Sequence, residues 1–305
     1  MGRVELNILG CGSAKPTLIH HPSCQVLNVH DKLFMIDCGE GAQTMLMKMG
    51  LKWSRLSHIF ISHLHGDHCF GLLGLLSTMG LQNHGGEIVI HTIRDGITLF
   101  KAQTDYFCRE MPFKITFDEI SVGHAEVYAD DAVTISTFPL KHRVPTVGFL
   151  FEERQGGRHI NGEMARFHGV PIYFMNNLRA GEDFVKPDGT VIANELLTTP
   201  PTPAVRYAYV SDTMPAEKYL PYIEGVDWLY HESTYASEHA ADAKARFHST
   251  AAQAAEVARK VGAKNLILGH YSSRYRDESV LLNEARAIFP ATILSNEGMK
   301  IPMSR

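Results

Sequence analysis

Six residues constrain this chain more than any others: His63-Leu64-His65-Gly66-Asp67-His68. They follow the β-prone run Ile59-Phe60-Ile61 and precede the apolar run Cys69-Phe70-Gly71-Leu72-Leu73-Gly74-Leu75-Leu76. The pattern predicts a buried strand, a sharp turn containing Gly66, and then a helix. A lone histidine at a strand end is usually a satisfied core or surface residue. Three in six positions beside an aspartate are a ligand set. Imidazole and carboxylate suit zinc, manganese or iron. With His63 and His65 on one side of the turn and Asp67 and His68 on the other, two adjacent metals fit the spacing better than one.

The rest of the chain has to supply the remaining ligands. Val4 to Leu9 alternates as a strand. Gln25–Val29 and Lys32–Ile36 flank His30-Asp31 as a hairpin. A helix follows up to Met49, stopped by Gly50. Strands are expected at 87–92, 114–120, 132–139 and 147–152, with a helix over 93–108. The second half alternates: strand 205–210, helix near 216–223, strand 228–230, a helix capped by His248-Ser249-Thr250 and ended by Gly262, strand 266–268, a helix near 278–288 and a short strand. Such an order predicts an α/β fold, two facing sheets with helices outside: an αββα sandwich. Asp37, His63, His142, Asp212, His231 and His270 all fall at or just after strand ends, where loops carry sites.

Residues 154–203 break this rhythm. They are rich in Gly and Pro, with Gly156-Gly157, Pro187-Asp188-Gly189 and Pro200-Pro201, and show no core-type strand. Fifty residues without regular structure inside a compact domain mark a functional protrusion or a disordered segment. The expected organisation is a single domain over 1–305 with a flexible arm, 154–203, inserted into it.

Composition narrows the setting. Hydrophobic residues make up 45% and charged residues 20% of 305 residues, as in a soluble globular protein. The net charge of −4 excludes a polycation, so any nucleic-acid contact must be a local patch. The five scattered cysteines form no Cys-x-x-Cys pair, which argues against a disulfide scaffold or zinc knuckle and fits a reducing cytoplasm. The amino terminus reads as a strand, not a leader's apolar core, and no apolar run approaches the ~20 residues a membrane span needs.

The His-x-His-x-Asp-His knot resembles the signature of the metallo-β-lactamase superfamily. That resemblance implies a first metal held by His63, His65 and His142, a second held by Asp67, His68 and His270, and Asp212 bridging both. The wider order of landmarks is similar to the ribonuclease Z family, the tRNA 3′-processing endonucleases, in their short form. These landmarks are Gly10-Cys11-Gly12-Ser13-Ala14-Lys15-Pro16, Asp37-Cys38-Gly39-Glu40, Ser62 to His68, Leu140-Lys141-His142, Ser211-Asp212-Thr213, His231-Glu232-Ser233-Thr234, His248-Ser249-Thr250 and His270 with Ser273-Arg274-Tyr275. The similarity runs from Gly10 to about Pro290.

Family resemblance implies two zinc ions per chain, with manganese or iron possible, a precursor tRNA substrate cut after the discriminator base to leave a 3′-hydroxyl, and a homodimer. It implies that Asp67 accepts the proton of the attacking water and that Glu232 and His248 protonate the leaving oxygen. Phosphodiester chemistry asks for the same parts: an activated water, neutralised phosphoryl charge and an acid. The 154–203 arm corresponds to the family's tRNA-gripping exosite. Its cations Arg154, Arg158, Arg166, Arg179 and Lys186 are offset by Glu163, Glu182, Asp183, Asp188 and Glu195. Candidate RNA contacts are Arg274, Arg166, Arg179 and Lys186. The alternatives are a sibling hydrolase of small phosphodiesters, sulfate esters or lactones, for which such an arm has no use, and a non-catalytic binding subunit, which predicts missing ligands.

Overall fold

The computed structural model describes residues 4–82 and 84–303; the first three residues of the predicted amino-terminal strand lie outside the described residues. The chain divides into two compact units, one running to Glu152 and resuming at Val205, the other Glu153–Ala204.

The larger unit is built on two seven-stranded sheets. The first runs, edge to edge, Lys300–Pro302, Val4–Gly10, Cys24–Val29, Lys32–Ile36, Leu56–Phe60, Glu87–Thr92 and Lys114–Glu119. The second runs Thr292–Leu294, Asn265–Gly269, Trp228–Glu232, Arg206–Val210, Val147–Glu153, Val133–Pro139 and Ala125–Ala129. Period-two alternation assigns the layers. In Lys32–Ile36, Phe34 and Ile36 face the second sheet's Phe149, Phe151 and Tyr209, while Leu33 and Met35 face helices on the outside. Those helices, Ala42–Lys48 and Leu72–Leu81, bring Met45, Leu46, Leu72, Leu75 and Met79 to the outer face. On the far side, Ala251–Lys260 buries Ala251, Ala254, Ala255 and Ala258, small residues that let the helix lie close to its sheet. The layer order is α, β, β, α, as the alternation predicts. Each fully buried large apolar side chain in these layers contributes about 1.5–3 kcal/mol.

The hairpin at His30-Asp31 forms as predicted, both residues taking positive φ (50° and 72°), which a two-residue turn between twisted strands requires. Other elements differ. Gly66 does not turn the chain; it opens a short helix, Gly66–Cys69, so Asp67 and His68 project from helical backbone. The residues near 216–223 form a 3₁₀ helix, Glu217–Ile223, because Pro221 lacks the N–H that an α-helix needs. The strands Ala125–Ala129 and Lys300–Pro302 and the helix Ala240–Arg246 were not anticipated. The two strands are short edges and the helix is mostly exposed, so their sequences carry little hydrophobic period.

The smaller unit is not irregular. It holds the helices Gly162–Phe167, Met175–Ala180 and Asn194–Leu197 and two minimal antiparallel strand pairs, His159–Ile160 with Thr198–Thr199 and, as a hairpin, Phe184–Val185 with Val191–Ile192. A core of Ala165, Val170, Leu178, Phe184, Ile192 and Leu197 binds them. Asn194 is buried at its centre. Its amide donates to the carbonyls of Leu178 and Glu182, both at 2.9 Å, and its carbonyl oxygen accepts from Thr198 Oγ1 at 2.6 Å. Elements of two to six residues fall below the window in which period can be read, which is why the segment looks structureless in sequence. Among the described residues, no helix is long and apolar enough to cross a membrane.

Candidate metal centre

In the second sheet, the strands ending in Val210, Glu232 and Gly269 are parallel and in register, Val210 beside His231 and Glu232 beside Gly269. Their carboxyl ends therefore deliver Asp212, Glu232 and His270 to one edge. In the first sheet Ile36 pairs with Phe60, also in parallel, and delivers Asp37 and the His63–His68 segment. The short helix docks with no room for side chains beneath it. Cys38 N donates to His68 O at 2.7 Å and Gly71 N to Cys38 O at 2.8 Å, and a Cβ on Gly71 would lie 2.1 Å from Gly39 O.

All seven predicted ligands converge, in two groups. His63 Nε2 and His142 Nε2 lie 3.1 and 3.2 Å from His65 Nδ1, and 3.6 and 3.7 Å from Asp212 Oδ2. On the other side His68 Nε2 and His270 Nε2 lie 3.4 and 3.2 Å from Asp212 Oδ1, and Asp67 Oδ2 is 3.3 Å from His270 Nε2. One carboxylate thus offers one oxygen to each group. Asp212 Oδ1 is buried without a hydrogen bond, a state that costs free energy unless a cation or proton fills it.

The opposite ring nitrogens show the same design. His142 Nδ1–H donates to Phe247 O at 2.9 Å and His68 Nδ1–H to Asp37 Oδ2 at 2.7 Å. His63 Nδ1–H donates to Ser62 Oγ at 3.0 Å, and that hydroxyl donates to Asp37 at 2.9 Å. His270 Nδ1–H donates to Thr234 Oγ1 at 2.8 Å, which donates to Glu232 Oε2 at 2.7 Å. In these four rings the tautomer leaves Nε2 unprotonated and aimed inward, as metal-bound imidazoles require. The donor set fits two divalent cations.

Among the described residues six non-glycine residues take positive φ, and outside the His30-Asp31 hairpin the other four sit here: Ala14, Asp37, Phe247 and His270. Phe247 turns its carbonyl onto His142 and presents His248 next. Ala14 directs its N–H to Asp67 Oδ2 at 2.6 Å. Backbone held in this region at a cost of order 1–3 kcal/mol each marks a pre-organised site.

Glu232 and His248 form a pair beside the ligands. His248 Nδ1 lies 3.2 Å from Glu232 Oε1, whose fully buried carboxylate also accepts from Ser249 N at 2.7 Å and Thr234 N at 3.0 Å. Burial disfavours the imidazolium of His248, but the Glu232 and Asp212 carboxylates outweigh it and lift its pKa to about 9. A cavity of about 500 Å³ opens onto the ligands and His248.

His231 does not join the site. Strand alternation turns it to the opposite face from Glu232, where it accepts from Tyr219 Oη at 3.0 Å. Arg274 does not line the cavity; its guanidinium lies 4.8 Å above the Tyr235 ring and pairs with Asp242 at 3.3 Å. Arg166 and Arg179 are exposed and Lys186 half-buried, all on the smaller unit. Sequence reasoning gave Asp37 a strand end but no role, and missed the hydroxyls Ser62 and Thr234. Their signal was position alone: each is adjacent to, or two residues from, a predicted site residue.

This architecture is the metallo-β-lactamase fold. The metallo-β-lactamase fold protein YhfI from Bacillus subtilis superposes with a TM-score of 0.68 over 98% of both chains at 17% identity. The short form of human tRNase Z gives 0.70 over 98% of this chain and 99% of that one, at 24% identity. Residues 4–155 match the family model described as Anti-Pycsar protein Apyc1. Ribonuclease Z of Bacteroides thetaiotaomicron is 50% identical over 305 residues, covering 100% of this chain and 96% of the relative. The chain belongs to the ribonuclease Z family.

Proposed function

We propose that the chain is a zinc-dependent endoribonuclease that cuts the 3′ trailer from precursor tRNA after the discriminator base, leaving a 3′-hydroxyl on the tRNA. The observation that carries this reading is Asp212 between two imidazole groups, with the Glu232–His248 pair beside it. Family membership supports the same substrate, and the name of the human neighbour includes tRNA. His63, His65, His142 and Asp212 would hold one zinc, and Asp67, His68, His270 and Asp212 the other. Bound there, the ions would polarise the phosphoryl oxygens and lower the pKa of a water from about 16 towards ~7.

The chain's own residues do the rest. Asp67, whose Oδ2 accepts from Ala14 N–H and is oriented by it, accepts the water's proton. His248, bonded through Nδ1 to Glu232, keeps a proton on Nε2 and gives it to the 3′ oxygen as the bond from phosphorus to that oxygen breaks. The smaller unit serves as the tRNA exosite, with Arg166, Arg179 and Lys186 as its phosphate contacts, and the active form is a homodimer. All five cysteines are free and buried, in keeping with a cytoplasmic setting.

The test is incubation of the zinc-loaded protein with an end-labelled precursor tRNA and mapping of the cut. One cut after the discriminator base with a 3′-hydroxyl is expected. Intact precursor alongside rapid hydrolysis of bis(p-nitrophenyl) phosphate would instead indicate a small-phosphodiester enzyme.

A further inference from the structure

The cavity that opens onto the metal ligands has its acidic and its basic lining residues in different places. Its acidic lining residues are Asp67 and Asp212, both turned toward the ligand groups. Besides His248, its lining cations are Lys15, Arg143 and Arg246. They reach it from three elements: the loop after the first strand, the turn carrying His142, and the end of the helix Ala240–Arg246. All three are exposed, and none forms an ion pair among the described residues. The one side-chain contact is a hydrogen bond of 3.4 Å from Arg143 Nη2 to Ala245 O, which leaves most of its donors open. Elsewhere exposed cations commonly find carboxylates, as Arg94 does with Glu119, Lys114 with Glu87 and Arg274 with Asp242.

We propose that Lys15, Arg143 and Arg246 grip the phosphates of the single-stranded RNA that flanks the scissile bond, and so set substrate affinity. The inference rests on the endoribonuclease reading above. A cavity of about 500 Å³ admits one or two nucleotides, so the neighbouring phosphates must lie along its rim, where these cations stand. Unpaired cations there have no internal ion pair to break on binding. A free guanidinium also offers its bidentate fork to phosphate. The backbone makes the placement firm on one side: Ala14, next to Lys15, is tied to Asp67, and Ser13 N donates to Tyr271 O at 3.0 Å. Lys15 is therefore held near the reacting phosphate by the same loop that orients the proton acceptor. The arm, whose own charges nearly cancel, need not supply this electrostatic affinity.

The test uses Lys15→Ala, Arg143→Ala, Arg246→Ala and the triple variant, each zinc-loaded, with Arg94→Ala as a remote surface control. kcat and KM on precursor tRNA are measured across a salt series, and kcat/KM on bis(p-nitrophenyl) phosphate in parallel. Each single variant should raise the tRNA KM about three- to tenfold. The triple variant should reduce the slope of log KM against log salt by about 2, as loss of three single-strand phosphate contacts requires. The loss on the chromogenic diester should be smaller by at least about fivefold, since it has no flanking phosphates. Arg94→Ala should change neither KM nor slope. Unchanged KM and slope in the triple variant, or equal losses on both substrates, overturn the proposal. If wild-type protein does not cut precursor tRNA, the endoribonuclease reading fails separately. The cation grip is then read from the salt slope of binding to a single-stranded oligoribonucleotide, and a triple variant with wild-type slope overturns it.

Discussion

The metal centre and the smaller unit solve opposite problems with the same chain. At the centre, Asp37, Asp212, Glu232, His63 and His68 are almost wholly buried, and each polar group but one is tied to another. Asp37 alone accepts from Ser62, His68 and Tyr209. In the Glu153–Ala204 unit a core of six apolar residues supports a surface on which Phe167, Ile172 and Tyr173 are each more than 80% exposed. A reacting centre needs donors fixed before substrate arrives, because geometry lost there is lost from the barrier. A recognition element, the role proposed for the smaller unit, needs exposed, unspent surface and little more stability than holds its shape. The contrast implies that chemistry and recognition separate by mutation.

The largest effect should follow from removing the shared carboxylate. Asp212→Ala leaves each imidazole group without its common oxygen, so elemental analysis should find less than two zinc per chain and hydrolysis of both tRNA and bis(p-nitrophenyl) phosphate should be lost. Full activity with one zinc per chain would break the two-metal reading.

A smaller and more selective loss is expected from His248→Ala. A proton donor matters for a ribose oxygen and little for p-nitrophenolate. tRNA turnover should fall about 10²–10⁴-fold while the aryl diester is barely slowed. Glu232→Ala should behave alike, and the double variant should fall well short of the product of the two, since the pair acts as one unit. Equal slowing of both substrates would leave His248 as a mere neighbour of the Thr250 cap, which already has its own capping box with Gln253.

The smallest effect on chemistry should come from the smaller unit. Replacing 156–200 with a short Gly-Ser linker should raise the tRNA KM about ten- to hundredfold, the loss of one or two binding hot spots. Turnover of the chromogenic diester and the melting transition of the larger unit should persist. Parallel loss on both substrates would show that the unit supports the metal centre, and the contrast drawn here would fail.

Much was legible because local chemistry is local. A strand period, a helix start at His248-Ser249-Thr250, a hairpin at His30-Asp31 and a six-residue ligand knot are written in neighbouring positions. They specified the αββα order and, with family resemblance, the seven side chains that the fold brings together. The expectation of a structureless 154–203 did not hold, because a core assembled from elements of two to six residues has no sequence period to read.

What the sequence determined by itself was therefore which side chains could ligate and on which strand ends they stood. What tertiary structure decided was where those ends meet. Parallel register set Val210 beside His231 and Glu232 beside Gly269, and strand alternation then sent Glu232 to the site and its neighbour His231 to Tyr219. It also decided that Arg274 is spent on Asp242 and Tyr235 while Lys15, Arg143 and Arg246 face the cavity unpaired. The physical reason is that a charge's availability depends on partners distant in sequence, Asp242 being thirty-two residues from Arg274, and only the folded chain brings such partners together.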